Sequence, residues 1–195
     1  IAITPTGGYP LDQNIYQAVK GMCSAEATLP EGGVIIDVAG CADGHGGEGF
    51  YHNIADNDPA EFERACIDRP KDETLPDQWT SQIFARILAH HPVIMVTDLC
   101  DHQMIKDMHM TPVNTLEEAL KLAFEMKGAD AKVAVLARNR NDGRGRTFLV
   151  FVDDFGDLQI RLLGDENDAV IGFAQRLHDL AGLLLCGGHE YLKTH

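Results

Sequence analysis

The sequence predicts an α/β fold, a mainly parallel sheet flanked by helices, with a C-terminal hairpin-plus-helix extension. Short apolar runs alternate with segments of helical period, which is typical of strands alternating with helices. Turn signals bound the apolar runs, as expected for buried parallel strands. The predicted order is β-α-β-α-α-β-α-α-β. We therefore expect an α/β domain over residues 1–137 and an extension of unknown role, packed on it, over residues 138–195.

The chain opens with a predicted strand over residues 1–5, a bend at Gly7 and Gly8, and a helix over residues 11–22. Pro10 suits the first helical position, because its φ is already set and it has no N–H to satisfy. Gly21 is expected to limit or weaken the end of the helix. One predicted stripe of the helix packs on the sheet: Leu11, Ile15, Val19 and Met22. The opposite stripe is polar: Gln13, Tyr16, Gln17 and Lys20.

The rest of the predicted domain continues this alternation. Three further strands are predicted at residues 34–39, 92–98 and 131–136. Five further helices are predicted at residues 48–54, 59–67, 78–90, 102–108 and 115–127. Four of them have a residue suited to their N-terminal cap, namely Asp58, Asp77, Asp101 and Thr115. In the extension we expect a polar loop over 139–146, a hairpin of strands 147–152 and 158–163, and a helix over 165–186.

The composition narrows the possible partners. The formal net charge is −14, and such a field repels phosphate backbones, so no nucleic-acid partner is expected. The sequence has no apolar run long enough for a transmembrane helix, so no membrane partner is expected. Its five cysteines are odd in number and widely spaced, which favours reduced thiols in a cytoplasmic protein.

Two segments suggest a ligand site. The first is the polar stripe of the opening helix, because a glycine bend after a strand is where open α/β sheets place ligands. The second is the glycine-rich loop over residues 40–49, which follows a strand and precedes a helix. That arrangement can cradle a phosphate, but the G-x-G-x-x-G spacing is absent. His45 and His52 lie seven residues apart beside this loop, and a catalytic role for them is the less favoured interpretation.

The run GGYPLDQNIYQAVKGM at residues 7–22 resembles the opening of the C-terminal domain of the nickel-pincer-dependent lactate racemase family. The resemblance continues through Gly32-Gly33-Val34-Ile35-Ile36, Asp43-Gly44-His45-Gly46 and Asp77-Gln78-Trp79 to about Val135. It covers roughly two thirds of the chain, and sixteen consecutive positions make a specific motif.

The resemblance implies a two-domain isomerase that racemises or epimerises a small 2-hydroxy acid. It implies a nickel-pincer nucleotide, derived from a pyridinium dicarboxylate, in the cleft between two α/β domains. The C2 hydride of the substrate moves to the cofactor and returns to the other face of the resulting 2-keto acid. The motif Tyr16-Gln17-x-x-Lys20 implies that Gln17 and Lys20 contact the substrate and that Tyr16 lies at the cofactor edge. Trp79 matches a tryptophan that walls the site.

The family's metal-binding histidine, paired acid–base histidines, substrate arginine and pincer-anchoring lysine belong to its N-terminal domain, and nothing in this chain matches them. We therefore expect neither a catalytic residue nor a metal ligand in this chain, and the cofactor to be held mainly by a missing N-terminal domain or subunit. The start at Ile1 favours a domain fragment; a separate subunit or an inactive relative are alternatives. A non-catalytic α/β module that binds a small anion is the alternative function. The particular hydroxy acid is left open.

Overall fold

The computed structural model describes residues 1–138, 147–152 and 161–162. The strands of this part of the chain are β1 Ala2–Pro5, β2 Ile35–Val38, β3 Val93–Val96, β4 Thr111–Val113, β5 Val133–Arg138, β6 Thr147–Val152 and β7 Arg161–Leu162. Its α-helices are α1 Ile15–Glu26, α2 Glu48–Ala55, α3 Pro59–Asp68, α4 Gln78–His90, α5 His102–Asp107 and α6 Leu116–Lys127, with a short 3-10 turn at Lys71–Glu73. This confirms the predicted α/β fold.

All these strands belong to one sheet, in the order β4-β3-β2-β1-β5-β6-β7. The first five strands pair in parallel, and β6 and β7 continue the sheet antiparallel. The chain steps outward from β1 to β4 and then returns to the other side of β1 as β5. The strand order therefore reverses next to the carboxyl end of β1, which is where open α/β sheets leave a crevice for a ligand.

The sheet has an apolar core on each face, because successive residues of a strand point to opposite sides. On one face the strand residues Ala2, Ile35 and Met95 pack under helices α1 to α5. On the other face the neighbouring strand residues Ile3, Ile36 and Ile94 pack under α6. Burial on both faces explains why the strands consist of continuous apolar runs.

Three of the four predicted helix caps are confirmed. Asp58, Asp101 and Thr115 accept hydrogen bonds from the backbone N–H groups of the first turns of α3, α5 and α6. The prediction for Asp77 is wrong, because its side chain makes no capping hydrogen bond and its backbone is left-handed, with φ of 57°. Asp77 still precedes the first residue of α4, so the position of the helix was predicted correctly.

The predicted bounds of the first helix are wrong at both ends. Helix α1 begins at Ile15, where Asn14 is the cap and accepts from the Gln17 N–H at 3.1 Å. Pro10 instead follows a cis peptide bond in a turn before the helix, and Leu11 is 42% exposed rather than part of the buried stripe. At the other end, α1 continues past Gly21 to Glu26. The buried stripe is otherwise as predicted, since Ile15, Val19 and Met22 are buried.

Strand β4 was not predicted. It has three residues and Pro112 at its centre, and proline is a poor strand residue wherever its missing N–H is needed. Among the described strands β4 pairs only with β3, so it lies at an edge of the sheet, where proline is tolerated.

The extension is described in part. Strands β6 and β7 pair antiparallel, as the predicted hairpin requires. The predicted loop over 139–146, the predicted helix over 165–186 and Cys186 lie outside the described residues. The boundary between residues 137 and 138 stays a prediction. The four described cysteines are free thiols. No helix in the described part of the chain has the length and apolar character needed to cross a bilayer.

Candidate functional site

The candidate site lies at the carboxyl edge of the parallel strands, where α1 begins. Gly7 and Gly8 follow β1 with φ of 91° and 71°, values that side chains disfavour, and they turn the chain toward α1. Helix α4 runs into β3 and so begins at the same edge. The polar stripe of α1 and Trp79 of α4 are therefore brought to one end of the sheet, as ligand binding at a switch point requires.

The glycine-rich loop after β2 wraps around the start of α1. The N–H groups of Ile15 and Tyr16 donate to the carbonyls of Gly44 and His45 at 3.0 and 3.1 Å. Gly46, with φ of 92°, lies so close that an added Cβ would approach the Asn14 side chain within 2.7 Å. The loop thus packs against the start of α1 and supports it.

The same contacts argue against a phosphate cradle in this loop. A cradle needs free backbone N–H groups that point at the ligand. Here the N–H of Gly40 donates to Asp12 Oδ2 at 3.1 Å, and those of Cys41 and Asp43 donate to carbonyls of the segment before α1. The N–H of Gly47 donates to Nδ1 of His45. These N–H groups therefore already have acceptors within the protein.

Tyr16 and Trp79 form an aromatic pair. Their ring centroids are 6.4 Å apart in an edge-to-face arrangement, and Trp79 is 60% exposed. Tyr16 also contacts the buried ring of Phe50 at 5.2 Å, and Phe50 stacks on Phe84 at 5.8 Å. The pair is thus anchored in the core on one side and open on the other, as the wall of a binding site must be.

Gln17 and Lys20 form a second pair, one turn apart on the outer face of α1. Lys20 Nζ donates to Gln17 Oε1 at 2.6 Å. Lys20 is exposed and Gln17 is half-buried, while their neighbours Ala18 and Val19 face the core. Because Lys20 donates to the amide oxygen of Gln17, the ammonium and the amide nitrogen are the two hydrogen-bond donors of the pair. Two donors suit a carboxylate.

Two residues that support the site, Gln78 and Asn14, were not identified from the sequence. Gln78 is nearly buried at the start of α4, and its Oε1 accepts from Arg69 at 2.6 Å and from the Leu75 N–H at 3.0 Å. This fixes the chain immediately before Trp79. No local pattern marks Gln78 for this role. Asn14, by contrast, carries the ordinary signal of an N-terminal cap directly before an apolar helical stripe.

The histidines beside the site have local partners. His45 stacks on Tyr51 at 5.0 Å and lies 3.6 Å from Glu48, while His52 lies 3.7 Å from Glu48 and 2.9 Å from Asp56. The two histidines thus meet at one carboxylate. The part of the chain that the structure describes has no group of three or more His, Cys, Asp or Glu side chains arranged to hold a metal ion.

Cys41 lies in the glycine-rich loop, close to the candidate site. It is fully buried. Burial raises the pKa of its thiol, and the nearby Asp37 and Cys100 raise it further. A buried thiol that resists ionisation is a poor nucleophile.

The fold and site together define a doubly wound α/β domain with a donor-rich helix face at its switch point. The family model for the lactate racemase C-terminal domain matches residues 1–141. The chain therefore belongs to that family, and the resemblance seen in the sequence is confirmed.

Two curated relatives are similar to the same part of the chain. The lactate racemase of Lactiplantibacillus plantarum is 62% identical over 137 residues, and that of Thermoanaerobacterium thermosaccharolyticum is 56% identical over 137 residues. Each match covers 70% of this chain and 32% of the relative. The solved structure of the lactate racemase apoprotein from Thermoanaerobacterium thermosaccharolyticum matches with a TM-score of 0.66 and 56% identity, over 69% of this chain and 32% of that one. The chain thus spans about a third of the length of these relatives.

Proposed function

We propose that this chain is the C-terminal part of a racemase or epimerase of a small 2-hydroxy acid, and that Gln17 and Lys20 bind the carboxylate of the substrate. The observation that carries the proposal is the hydrogen bond of 2.6 Å between Lys20 and Gln17 on an exposed helix face beside the switch point. The names of the relatives support the reaction class.

The N–H groups at the start of α1 already have acceptors, which supports binding of the substrate carboxylate by the side chains of Gln17 and Lys20. We call this pair the clamp. A helix N-terminus often binds anions through its free N–H groups. In α1 the first N–H groups already donate to Gly44, His45 and Asn14. An anion at the start of α1 must therefore be held by side chains, and Lys20 is the cation on the exposed face of this helix. Holding the carboxylate while the faces of C2 are exchanged is what racemisation requires of a binding clamp.

The exposed apolar residues around the site support a partner domain. Tyr9 is 81% exposed, Leu99 is 62% exposed, and both follow strands at the carboxyl edge. Leu99 and Asp12 meet at Gly40, where an added Cβ would lie 3.7 and 3.5 Å from them. An N-terminal catalytic domain or subunit, which the relatives' greater length accommodates, would cover these residues and exclude water from the reaction.

In this proposal the nickel-pincer cofactor is held mainly by that other domain and supplies the redox chemistry at C2 when bound. The described residues fit the group as a wall and not as a ligand set. Trp79 and Tyr16 present aromatic edges and faces at the open side of the site, and planar rings favour such neighbours. Gln17 and Lys20 orient the substrate beside it. We propose a cytoplasmic location, in keeping with the free thiols.

Racemisation kinetics of the two-domain protein test the clamp. Lys20→Ala should raise the KM for lactate by about 10- to 100-fold, the usual effect of losing a hydrogen bond from a charged group. Gln17→Ala should raise it less, because the amide is neutral. Ser24→Ala, on the same helix and also exposed, is the matched control and should leave KM unchanged. Wild-type kinetics in Lys20→Ala would refute the clamp.

The alternative is a non-catalytic module that binds a small anion. Calorimetric titration of the 195-residue chain with lactate separates the two functions. Affinity equal to that of the two-domain protein would favour the module, because the chain alone would then contain the whole binding site. We expect much weaker binding, since the open side of the Tyr16–Trp79 pair would lack its covering domain.

A further inference from the structure

A buried polar cluster lies beneath α1. Asp37 of β2 is fully buried, and Thr4 of β1, its neighbour in the sheet register, is 2% exposed. Thr6 follows β1, and its hydroxyl donates to Asp37 Oδ1 at 3.4 Å. The position of these three polar side chains between the sheet and the helix needs an explanation, because burying polar groups is unfavourable.

The cluster meets the helix at Gly21. A Cβ added there would lie 3.0 Å from Thr6 Oγ1 and 3.3 Å from both Asp37 Oδ1 and Thr4 Oγ1. The Thr4 hydroxyl also donates to the Gly21 carbonyl at 3.3 Å. Glycine is unfavourable inside a helix. Its presence at position 21 is explained by packing, because the backbone of α1 lies directly against the three side chains.

Asp37 has no cationic partner among the described residues. Two acids lie near it: the Asp12 carboxylate, which raises the pKa of Asp37, and the Cys41 thiol, whose own pKa Asp37 raises. Its Oδ2 accepts no hydrogen bond from any residue that the structure describes. Burial raises the pKa of Asp37 well above its usual range; the Thr6 hydrogen bond opposes this and the Asp12 carboxylate adds to it. These surroundings favour the neutral acid.

We propose that Asp37, Thr4 and Thr6 form a neutral polar seat for Gly21, and that this seat sets the position of Gln17 and Lys20 against the substrate. Gly21 directly follows Lys20 and lies one turn after Gln17, so a shift of the helix at the seat moves both. Asp37 is thus a positioning residue, which acts through α1. The inference rests on the proposed role of Gln17 and Lys20.

Two substitutions at position 37 separate the effect of side-chain size from that of the acid group. Both variants are assayed for lactate racemisation in the two-domain protein. Asp37→Asn keeps the size of the neutral acid and should retain the KM of wild type. Asp37→Glu keeps the acid and adds a methylene against Gly21, and should raise KM by about tenfold, the low end of the effect expected for losing the Lys20 hydrogen bond. If Asp37→Asn raised KM and Asp37→Glu did not, the acid group would matter and its fit against Gly21 would not, which would overturn the proposal.

Gly21→Ala tests the seat from the helix side. The added methyl should raise KM by about tenfold, as for Asp37→Glu, without lowering kcat, because a loss of uniform binding raises KM alone. Adding Thr6→Ala removes the tightest contact and should restore KM. Ser24→Ala controls for the gain in helix propensity that any change to alanine brings. A fall in kcat at unchanged KM would mean that less protein is folded, and it would overturn the proposal.

A double-mutant cycle distinguishes failure of this inference from failure of the proposed function. If the seat acts through Lys20, then Gly21→Ala should raise KM much less in a Lys20→Ala background than in wild type. If Lys20→Ala raises KM while Gly21→Ala does not, the seat is refuted and the clamp stands. If Lys20→Ala leaves KM unchanged, both are refuted. If both raise KM additively, the clamp stands and the seat does not act through it.

Discussion

The Asp37→Asn variant is expected to gain stability relative to the wild type as the pH rises. Asp37 is fully buried, faces acids rather than cations, and has a pKa that burial raises. In the unfolded chain the same carboxyl ionises near pH 4. Between that pH and the raised pKa the native state therefore holds a proton that the unfolded state releases, so the wild type loses stability with rising pH. Asparagine has no such proton.

The size of the effect follows from proton linkage. When one state holds a proton and the other does not, the free energy of unfolding changes by about 1.4 kcal/mol per pH unit. The difference between Asp37→Asn and wild type should grow at nearly that slope above about pH 4, until the pH reaches the folded-state pKa. Below pH 4 both side chains are neutral, and the difference should stay within about 1 kcal/mol, the net worth of an ordinary hydrogen bond.

Urea unfolding at a series of pH values measures this difference. Circular dichroism follows the fold, and emission of Trp79, the only tryptophan in the chain, follows the aromatic pair. Asp130→Asn, which makes the same substitution at an exposed loop position, is the control for the loss of one carboxyl group. A flat difference for Asp37→Asn would refute the reasoning, because Asp37 would then titrate equally in both states.

Three other changes test the packing around the site by chemical unfolding. Gly46→Ala should destabilise by about 1–3 kcal/mol more than Gly32→Ala, because both have positive φ but only Gly46 lacks room for a Cβ; equal effects would show that Asn14 moves freely. Phe50→Ala should cost about 3–5 kcal/mol and change Trp79 emission through Tyr16, whereas unchanged emission would mean that the aromatic contacts are independent. Arg86 donates to both carboxylate oxygens of Glu26 at 3.0 and 2.7 Å, and a double-mutant cycle should give a coupling of about 0.5–1 kcal/mol that decreases with salt; no coupling would contradict this contact.

Most of the fold could be predicted from the sequence because burial on both faces of the sheet leaves a simple pattern. Strands β2 and β3 consist mostly of apolar residues, and Thr115 and Asp58 stand directly before helical stripes. Period and caps are local properties, so they can be found without knowing the tertiary structure. Strand β4 was missed because its Pro112 is acceptable only at an edge, and edges are set by strand order.

The start of α1 shows where local patterns mislead. Pro10 suits a first helical position and Leu11 continues the apolar stripe, yet the helix begins at Ile15. Asn14 is the N-terminal cap, because its side chain accepts from the Gln17 N–H. The glycine-rich loop supplies acceptors for the N–H groups of Ile15 and Tyr16. Those acceptors, Gly44 and His45, lie 29 positions further along the chain than the N–H groups that donate to them. No window around residue 11 contains that information.

Gly21 carries the same lesson for the candidate site. In the sequence it marks the end of a helix, and in the structure it is a mid-helix contact with Thr4, Thr6 and Asp37. The polar stripe with Gln17 and Lys20 was predictable because it needs only the helical period. Its distance from the sheet was not, since that depends on a buried acid sixteen positions after Gly21. The residues of the proposed clamp can therefore be found from their own helix, whereas those of the proposed seat emerge only from the packing between elements.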